Sequence, residues 1–296
     1  MANLKEIRNR ITSVSSTMQI TSAMKMVSAA KLKRAQDAVT KMRPYADKLT
    51  EILSDLSSAL DGSENIYASD REVKNIVLVV VTSNRGLCGG FNNNIIKEAM
   101  RLAKEEYKDH NVSVMTVGKK ATDAFKRTEY KIDGSHLPSN LDDIWNNLTF
   151  DNVAPEVERI MEAYVNKQVD KVVLVYNHFK NVASQIATAE QFLPIVPPTT
   201  EDSDKKEGNQ IDYIFEPSRE EIVTELMPKS LKIQFYSALL DSHAGEHGAR
   251  MTAMHKATDN AAELNKSLKL EYNKARQAAI TNEILEIVGG AEALNG

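Results

Sequence analysis

The sequence predicts an α/β protein: a long antiparallel helical coiled coil formed by the N- and C-terminal helices, plus a central Rossmann-like α/β domain. Three observations predict this. Prolines fall only at positions 44, 138, 155, 194, 197, 198, 217 and 228, so residues 1–43 and 229–296 contain none. Apolar residues near both ends recur at helical spacing. The middle instead carries short β-branched runs separated by helical patterns.

At the N-terminal end Leu4, Ile7, Ile11, Val14 and Met18 step by threes and fours, and Met42, Tyr45, Leu49, Ile52 and Leu56 do the same. Steps averaging 3.5 residues form the seam of a left-handed coiled coil. Between the two sets lie Ala23, Ser28, Ala29 and Ala30, small enough to let a partner helix approach closely. Pro44 interrupts without ending the pattern, which implies a kink or a tolerated bend. A helix from Met1 to about Leu56 is on the order of 80 Å long.

At the other end Ser218-Arg219-Glu220-Glu221 reads as a capping box, and Pro228 suits the first position of a second helix. That helix runs on to Leu294, on the order of 100 Å, with a seam of Ala249, Ala253, Ala257, Leu264, Leu268, Tyr272, Ala275 and Ala279. Helices of such length exceed a small domain of about 30 Å and must protrude from it. Because they flank the same domain they run antiparallel, and if they leave it at similar heights the last ~20 residues extend beyond Met1 as a lone helix of ~30 Å.

In the middle, Asn75–Thr82, Val112–Val117 and Lys171–Tyr176 read as strands covered on both faces. Helical patterns at Asn92–Tyr107, Lys119–Arg127 and Val153–Gln168 separate them, as in a parallel or mixed sheet. Further short strands are expected at Ala183–Ala189 and Ile211–Phe215. The resulting division is an N-terminal helix in residues 1–60, a central α/β domain in 70–217 and a C-terminal helix in 218–296. The charged stretch near 198–210 is a flexible acidic loop.

Composition narrows the function. Aromatic residues, Gly and Pro are sparse and Met is fairly abundant, which favours helix. The single cysteine, Cys88, excludes an intramolecular disulfide and suits a reducing compartment. The start of the chain has neither a signal nor a transit pattern, and the longest apolar run, Ile76–Val81, is too short to span a bilayer. No direct membrane insertion is therefore expected, and any membrane association goes through a partner. Residues 1–48 carry ten Lys or Arg against three acids, a basic rod that is either a solvated face or a surface for an acidic partner. Nucleic acid is not expected, because the interleaved aromatics of a single-strand binder are missing.

Chemical motifs are weak. The loop Thr82-Ser-Asn-Arg-Gly86-Leu-Cys-Gly89-Gly90-Phe-Asn92 follows a strand, where doubly wound sheets bind phosphate, but matches neither common glycine-rich phosphate motif. It reads either as a structural turn or as the site of a nucleotide-binding enzyme using Gly86–Gly90. Cys88 is either a packed small residue or a thiol near a helix start. His243 and His247 stand four apart on a helix without the zinc-protease pattern, and no catalytic constellation is readable from spacing. No catalytic residue, cofactor or metal is therefore expected.

More specific signals lie in Met24-Lys-Met-Val-Ser-Ala-Ala-Lys31-Leu32, Ser83–Asn92, Glu246-His-Gly-Ala-Arg250-Met-Thr-Ala-Met254, and Tyr272-Asn-Lys-Ala-Arg276-Gln277 continuing to Ala291. Along essentially the whole chain these closely resemble the gamma subunits of F-type ATP synthases. One departure is Asn84, where many members have Asp. The resemblance implies a non-catalytic central rotor shaft, at the cytoplasmic face of the cell membrane, in a complex whose catalysis belongs to the beta subunits. The implied partners are the alpha and beta subunits of the catalytic ring, the epsilon subunit and the membrane rotor ring of c subunits.

The resemblance also implies contact residues. Met24, Lys25 and Arg250 are expected to face acidic loops of the beta subunits, and Arg276, Gln277 and Thr281 to bond the surrounding ring. Ile280, Ile284, Leu285, Ile287 and Val288 make a tip with apolar sides all round, suited to a hydrophobic sleeve. The competing reading is a coiled-coil adaptor or tether with a non-catalytic α/β head.

Overall fold

The computed structural model describes residues 4–57, 66–67, 71–132, 137–182, 184–195 and 219–295. The chain divides into two units, Ala30–Ala249 and a second made of Met1–Ala29 with Arg250–Gly296. Helices α1 (Leu4–Ser57) and α5 (Arg219–Asn295) contribute to both.

The larger unit is built on a four-stranded mixed sheet of order β2-β1-β3-β4, with β1 (Asn75–Val81), β2 (Asn111–Val117), β3 (Lys171–Phe179) and β4 (Gln185–Leu193). β1 runs parallel to β2 and β3, whereas β4 pairs antiparallel with β3 at the edge. The unbroken apolar run of β1 is explained by two cores, because successive side chains in a strand point to opposite faces. Ile76, Leu78 and Val80 pack in one core with Ile95 and Ala99 of α2 (Phe91–Arg101) and Phe125 of α3 (Lys119–Phe125). Val77, Val79 and Val81 enter the other, with Val157, Ile160 and Tyr164 of α4 (Phe150–Val165) and Leu231, Phe235 and Leu239 of α5. Each such side chain fully buried contributes about 1.5–3 kcal/mol. The first stretch of α5 is thus part of the domain core, beyond its role in the helical pair.

Several expectations need correction. The pattern over 92–107 is not one α-helix: after α2 a π-turn occupies Leu102–Glu106, and the Tyr107 N–H bonds the Leu102 carbonyl at 2.8 Å. The wider turn keeps Leu102, Ala103 and Tyr107 all buried. Pro228 does not begin a helix, since α5 runs through it from Arg219. Pro228 removes one intrahelical hydrogen bond, but buried Met227 and Leu231 anchor the helix on both sides of it. β4 lies later than the predicted 183–189. The predicted strand at 211–215, the acidic loop near 198–210 and the capping box at Ser218 lie outside the described residues.

Glycine is required at one turn. Gly118, between β2 and α3, has φ +112°, and a Cβ there would stand 2.1 Å from the Thr82 carbonyl oxygen. This close approach lets the Thr82 N–H bond the Val117 carbonyl at 2.8 Å and joins the ends of β1 and β2. Where α1 lies in this unit, Leu49 clusters with Met227 and Ile233, and Met42 and Ala46 pack alongside. Tyr45, predicted for that seam, is 57% exposed. The contact line passes through its neighbour Ala46, one residue and about 100° further round the helix.

In the smaller unit α1 and α5 pair antiparallel. Thr258 Oγ1 meets Thr21 Oγ1 at 2.9 Å, and Arg8 Nη2 donates to the Tyr272 hydroxyl at 2.7 Å. Positions 13 apart on one helix thus oppose positions 14 apart on the other, which fixes direction and register. Ile7, Thr21 and Ser28 are buried on α1, with Leu4, Ile11, Val14 and Met18 half-buried between and before them. On α5 the buried line is Arg250, Met254, Ala261, Asn265 and Leu268, with Ala257, Tyr272 and Ala275 half-buried. Leu264, predicted for the seam, is 47% exposed because Asn265 takes that line, and Ala279 is exposed.

Candidate functional site: a partner-binding helix surface

Every residue predicted to contact a partner belongs to the smaller unit. Met24 and Lys25 are half-buried on α1, one turn beyond Thr21. Ser28 Oγ donates to the Met24 carbonyl at 2.8 Å, turning that polar group back into its own helix. Arg250 is 7% exposed, and the Thr21–Thr258 register sets it opposite Ala29, about a turn and a half past Met24. A guanidinium so sheltered needs its donors engaged.

Beyond Tyr272 the environment changes. Ala275 is the last half-buried position, and every described side chain from Arg276 through Ala291 is exposed. Arg276, Gln277 and Thr281 therefore present their polar groups to the surroundings. The same stretch exposes large apolar groups: Ile280 49%, Ile284 55%, Leu285 63%, Ile287 66% and Val288 51%. At 100° per residue these five positions fall within one arc of about 160°, so the stretch carries a broad apolar face rather than the apolar sides all round expected from its sequence. An exposed apolar surface of this extent marks an interaction site. Gly289 and Gly290 follow with open space around both.

A second exposed apolar set lies on α1: Ile20 59%, Met26 63% and Val27 57%. These three fall off the seam, so helical periodicity alone does not single them out. Their signal was that very displacement, large apolar residues on the face a two-helix pair leaves uncovered.

In the larger unit the glycine-rich loop satisfies its polar groups internally. Ser83 N–H donates to Asn92 Oδ1 at 2.9 Å, Ser83 Oγ donates to the Arg85 carbonyl at 2.7 Å, and Asn92 Nδ2 donates to Ser83 Oγ at 2.8 Å. Cys88 is 2% exposed and lies 3.1 Å from Asn92 Nδ2. Asn84 uses both ends of its amide: Nδ2 donates to the Asp142 carbonyl and Oδ1 accepts from the Lys119 N–H, each at 2.9 Å. A carboxylate could accept but not donate there. These contacts favour the structural-turn reading of the loop.

Among the described residues no group of three or more His, Cys, Asp or Glu is arranged to hold a metal, and no helix is long and apolar enough to cross a membrane.

Comparison with known proteins agrees with the helical architecture. A family model described as ATP synthase matches residues 3–294. An ATP synthase gamma chain from Christiangramia forsetii is 60% identical over 299 residues, covering 100% of each chain. Among solved structures, a chain of the Tetrahymena thermophila mitochondrial ATP synthase central stalk and c-ring is 28% identical, with TM-score 0.57, covering 80% of this chain and 99% of that one. A chain of the Euglena gracilis mitochondrial ATP synthase, in a structure titled OSCP/F1/c-ring, shares the fold with TM-score 0.65 at 22% identity, covering 98% of this chain and 94% of that one. With a relative matched at this identity from end to end, the chain belongs to the family of ATP synthase gamma chains.

Proposed function

We propose that this chain is the central rotor shaft of an F-type ATP synthase. It couples ion flow through a membrane ring of c subunits to conformational cycling of catalytic beta subunits. The observation that carries this reading is the change along α5: a register-fixed pair with α1 up to Tyr272, then a helix exposed on all sides that bears a broad apolar face. A shaft influences a surrounding subunit only through faces that interact with it unequally. The stretch supplies such faces, because its polar and apolar exposed groups are unevenly placed.

In this reading Arg276, Gln277 and Thr281 hydrogen-bond loops of the alpha and beta ring. Arg suits that role because its planar fork pairs with carboxylates in two parallel bonds. Ile280, Ile284, Leu285, Ile287 and Val288 turn inside an apolar sleeve. Met24 and Lys25, with Arg250 packed nearby, form a third zone against acidic loops of the beta subunits. The larger unit meets the c ring and the epsilon subunit, at the cytoplasmic face of the membrane. The chain carries no catalytic residue itself, and its partners supply the chemistry.

The test is Arg276→Ala combined with Gln277→Ala in the assembled complex. A drop in ATP turnover or in pumping efficiency is the expected result. Unchanged values for both would remove these two residues from the coupling.

A further inference from the structure

In the larger unit, α5 carries an arrangement that neither the sheet nor the helical pair requires. His243 and His247 lie one turn apart, and their Nε2 atoms approach to 3.1 Å. The rings are nearly perpendicular, with centroids 4.5 Å apart. Trp145 stacks on His243 at 5.5 Å with an interplanar angle of 17°. His247 is 4% exposed and His243 half-buried. Trp145 Nε1 is buried without a hydrogen-bond partner among the described residues.

Two imidazole nitrogens this close can share only one proton between them, so at least one ring is neutral and offers a lone pair. The spacing also suits a metal. With metal–nitrogen bonds of about 2.0–2.1 Å, a 3.1 Å separation corresponds to an N–metal–N angle of roughly 100°, between the tetrahedral and square or octahedral values.

The sequence around the pair gives such an ion something to do. Gly245 lies between the histidines and Gly248 directly after them, and glycine is a poor helix former. Gly245 sits tightly, since a Cβ there would stand 3.3 Å from Phe91 and from Gln185, whereas one at Gly248 would make an ordinary contact with Phe179 at 3.5 Å. Close approach to the sheet therefore leaves this turn of α5 intrinsically weak.

We propose that His243 and His247 form a two-imidazole site for a late first-row dication of the Zn²⁺ or Ni²⁺ class, which pins the glycine-weakened turn of α5. Binding moves the shared proton to an Nδ1, so that both Nε2 lone pairs face the ion. Water completes the coordination, since no third His, Cys, Asp or Glu converges there among the described residues. The affinity is accordingly that of a two-ligand site, and it is lost on acidification as the imidazoles protonate.

Trp145 is the only tryptophan in the chain and reports the site directly. The full-length protein is titrated with NiCl₂ while Trp145 emission is followed, then treated with a chelator. The expected result is saturable one-to-one quenching that the chelator reverses, with a midpoint raised roughly tenfold or more in His243→Gln and in His247→Gln. His255→Gln, on the exposed surface, should titrate like the parent. Quenching that is absent, unsaturable or equal in all four proteins overturns the proposal. Because His247 is buried and its variant can misfold, a second measurement uses the unaltered chain. Hydrogen exchange with and without ZnCl₂ should slow at amides 243–249, and no slowing there contradicts the proposal even if quenching occurs.

Discussion

Arg8 and Tyr272 cross-link α1 and α5: Arg8 Nη2 donates to the phenol oxygen at 2.7 Å, and the guanidinium carbon lies 5.7 Å from the ring centroid. The hydrogen bond to the phenol raises the Arg8 pKa above the ordinary guanidinium value. Tyr272→Ala should speed hydrogen exchange several-fold at the start of α1 while leaving Ser22–Ala29 unchanged. Tyr272→Phe keeps the ring and loses only the hydroxyl, so its effect should be smaller. Equal exchange in all three proteins would mean that the seam alone holds this end.

Asp170 ties the segment before β1 to the entry of β3. Its Oδ2 accepts from the Lys74 and Asn75 N–H groups at 3.1 and 2.9 Å, and its Oδ1 lies 3.1 Å from Arg71 Nε. Arg71 in turn donates to the Tyr164 and Val169 carbonyls and lies 4.3 Å from the Tyr164 ring centroid. The Arg71 and Asp170 side chains are only 20% and 10% exposed, so removing one leaves a sheltered charge without its counter-ion. Asp170→Ala should cost about 3–5 kcal/mol in unfolding free energy, and Asp170→Asn less because its oxygen still accepts. Denaturant unfolding measures both.

Asp241 makes stability depend on pH. Burial raises its pKa above the ordinary aspartate value, only partly opposed by His178 at 2.7 Å, the Phe179 backbone and Arg43. Tyr176, bonded to Glu190 at 2.9 Å, also faces it. With the folded value above the unfolded one, the unfolded chain binds fewer protons, so this contribution is complete below about pH 4 and is lost as pH rises through the folded value. Asp241→Asn abolishes that loss. The variant's stability relative to the parent should therefore rise with pH across this window, as thermal unfolding at a series of pH values would show. A flat difference would mean that the carboxylate is solvated.

The sequence made the sheet legible wherever β-branched runs were uninterrupted, since Ile76–Val81 can only be a strand with helices on both faces. It also made the pairing of the terminal helices legible through residues such as Ile7 and Leu268, both buried. Residues one step from the seam misled, as Tyr45 and Leu264 did, because apolar character alone does not separate a buried position from an exposed one 100° away. Pro228 misled for a different reason, since buried neighbours outweigh one missing hydrogen bond. The polar face of α5, with buried Asp241, Ser242, Glu246 and His247, was not legible because polar residues at helical spacing usually mark the solvent side. Its one signal was the glycine pair, which marks close approach by another element. Of the proposed contact residues, the apolar tip was the most readable, being too apolar for a helix end facing only water.

The central claim is that this chain turns. The most direct measurement assembles it with its cognate alpha and beta subunits, fixes the ring to a surface and attaches a bead to the α/β unit of this chain during ATP hydrolysis. The account predicts sustained rotation in one direction that stops when ATP is exhausted. A bead that only fluctuates while the ring hydrolyses ATP at its normal rate would contradict it.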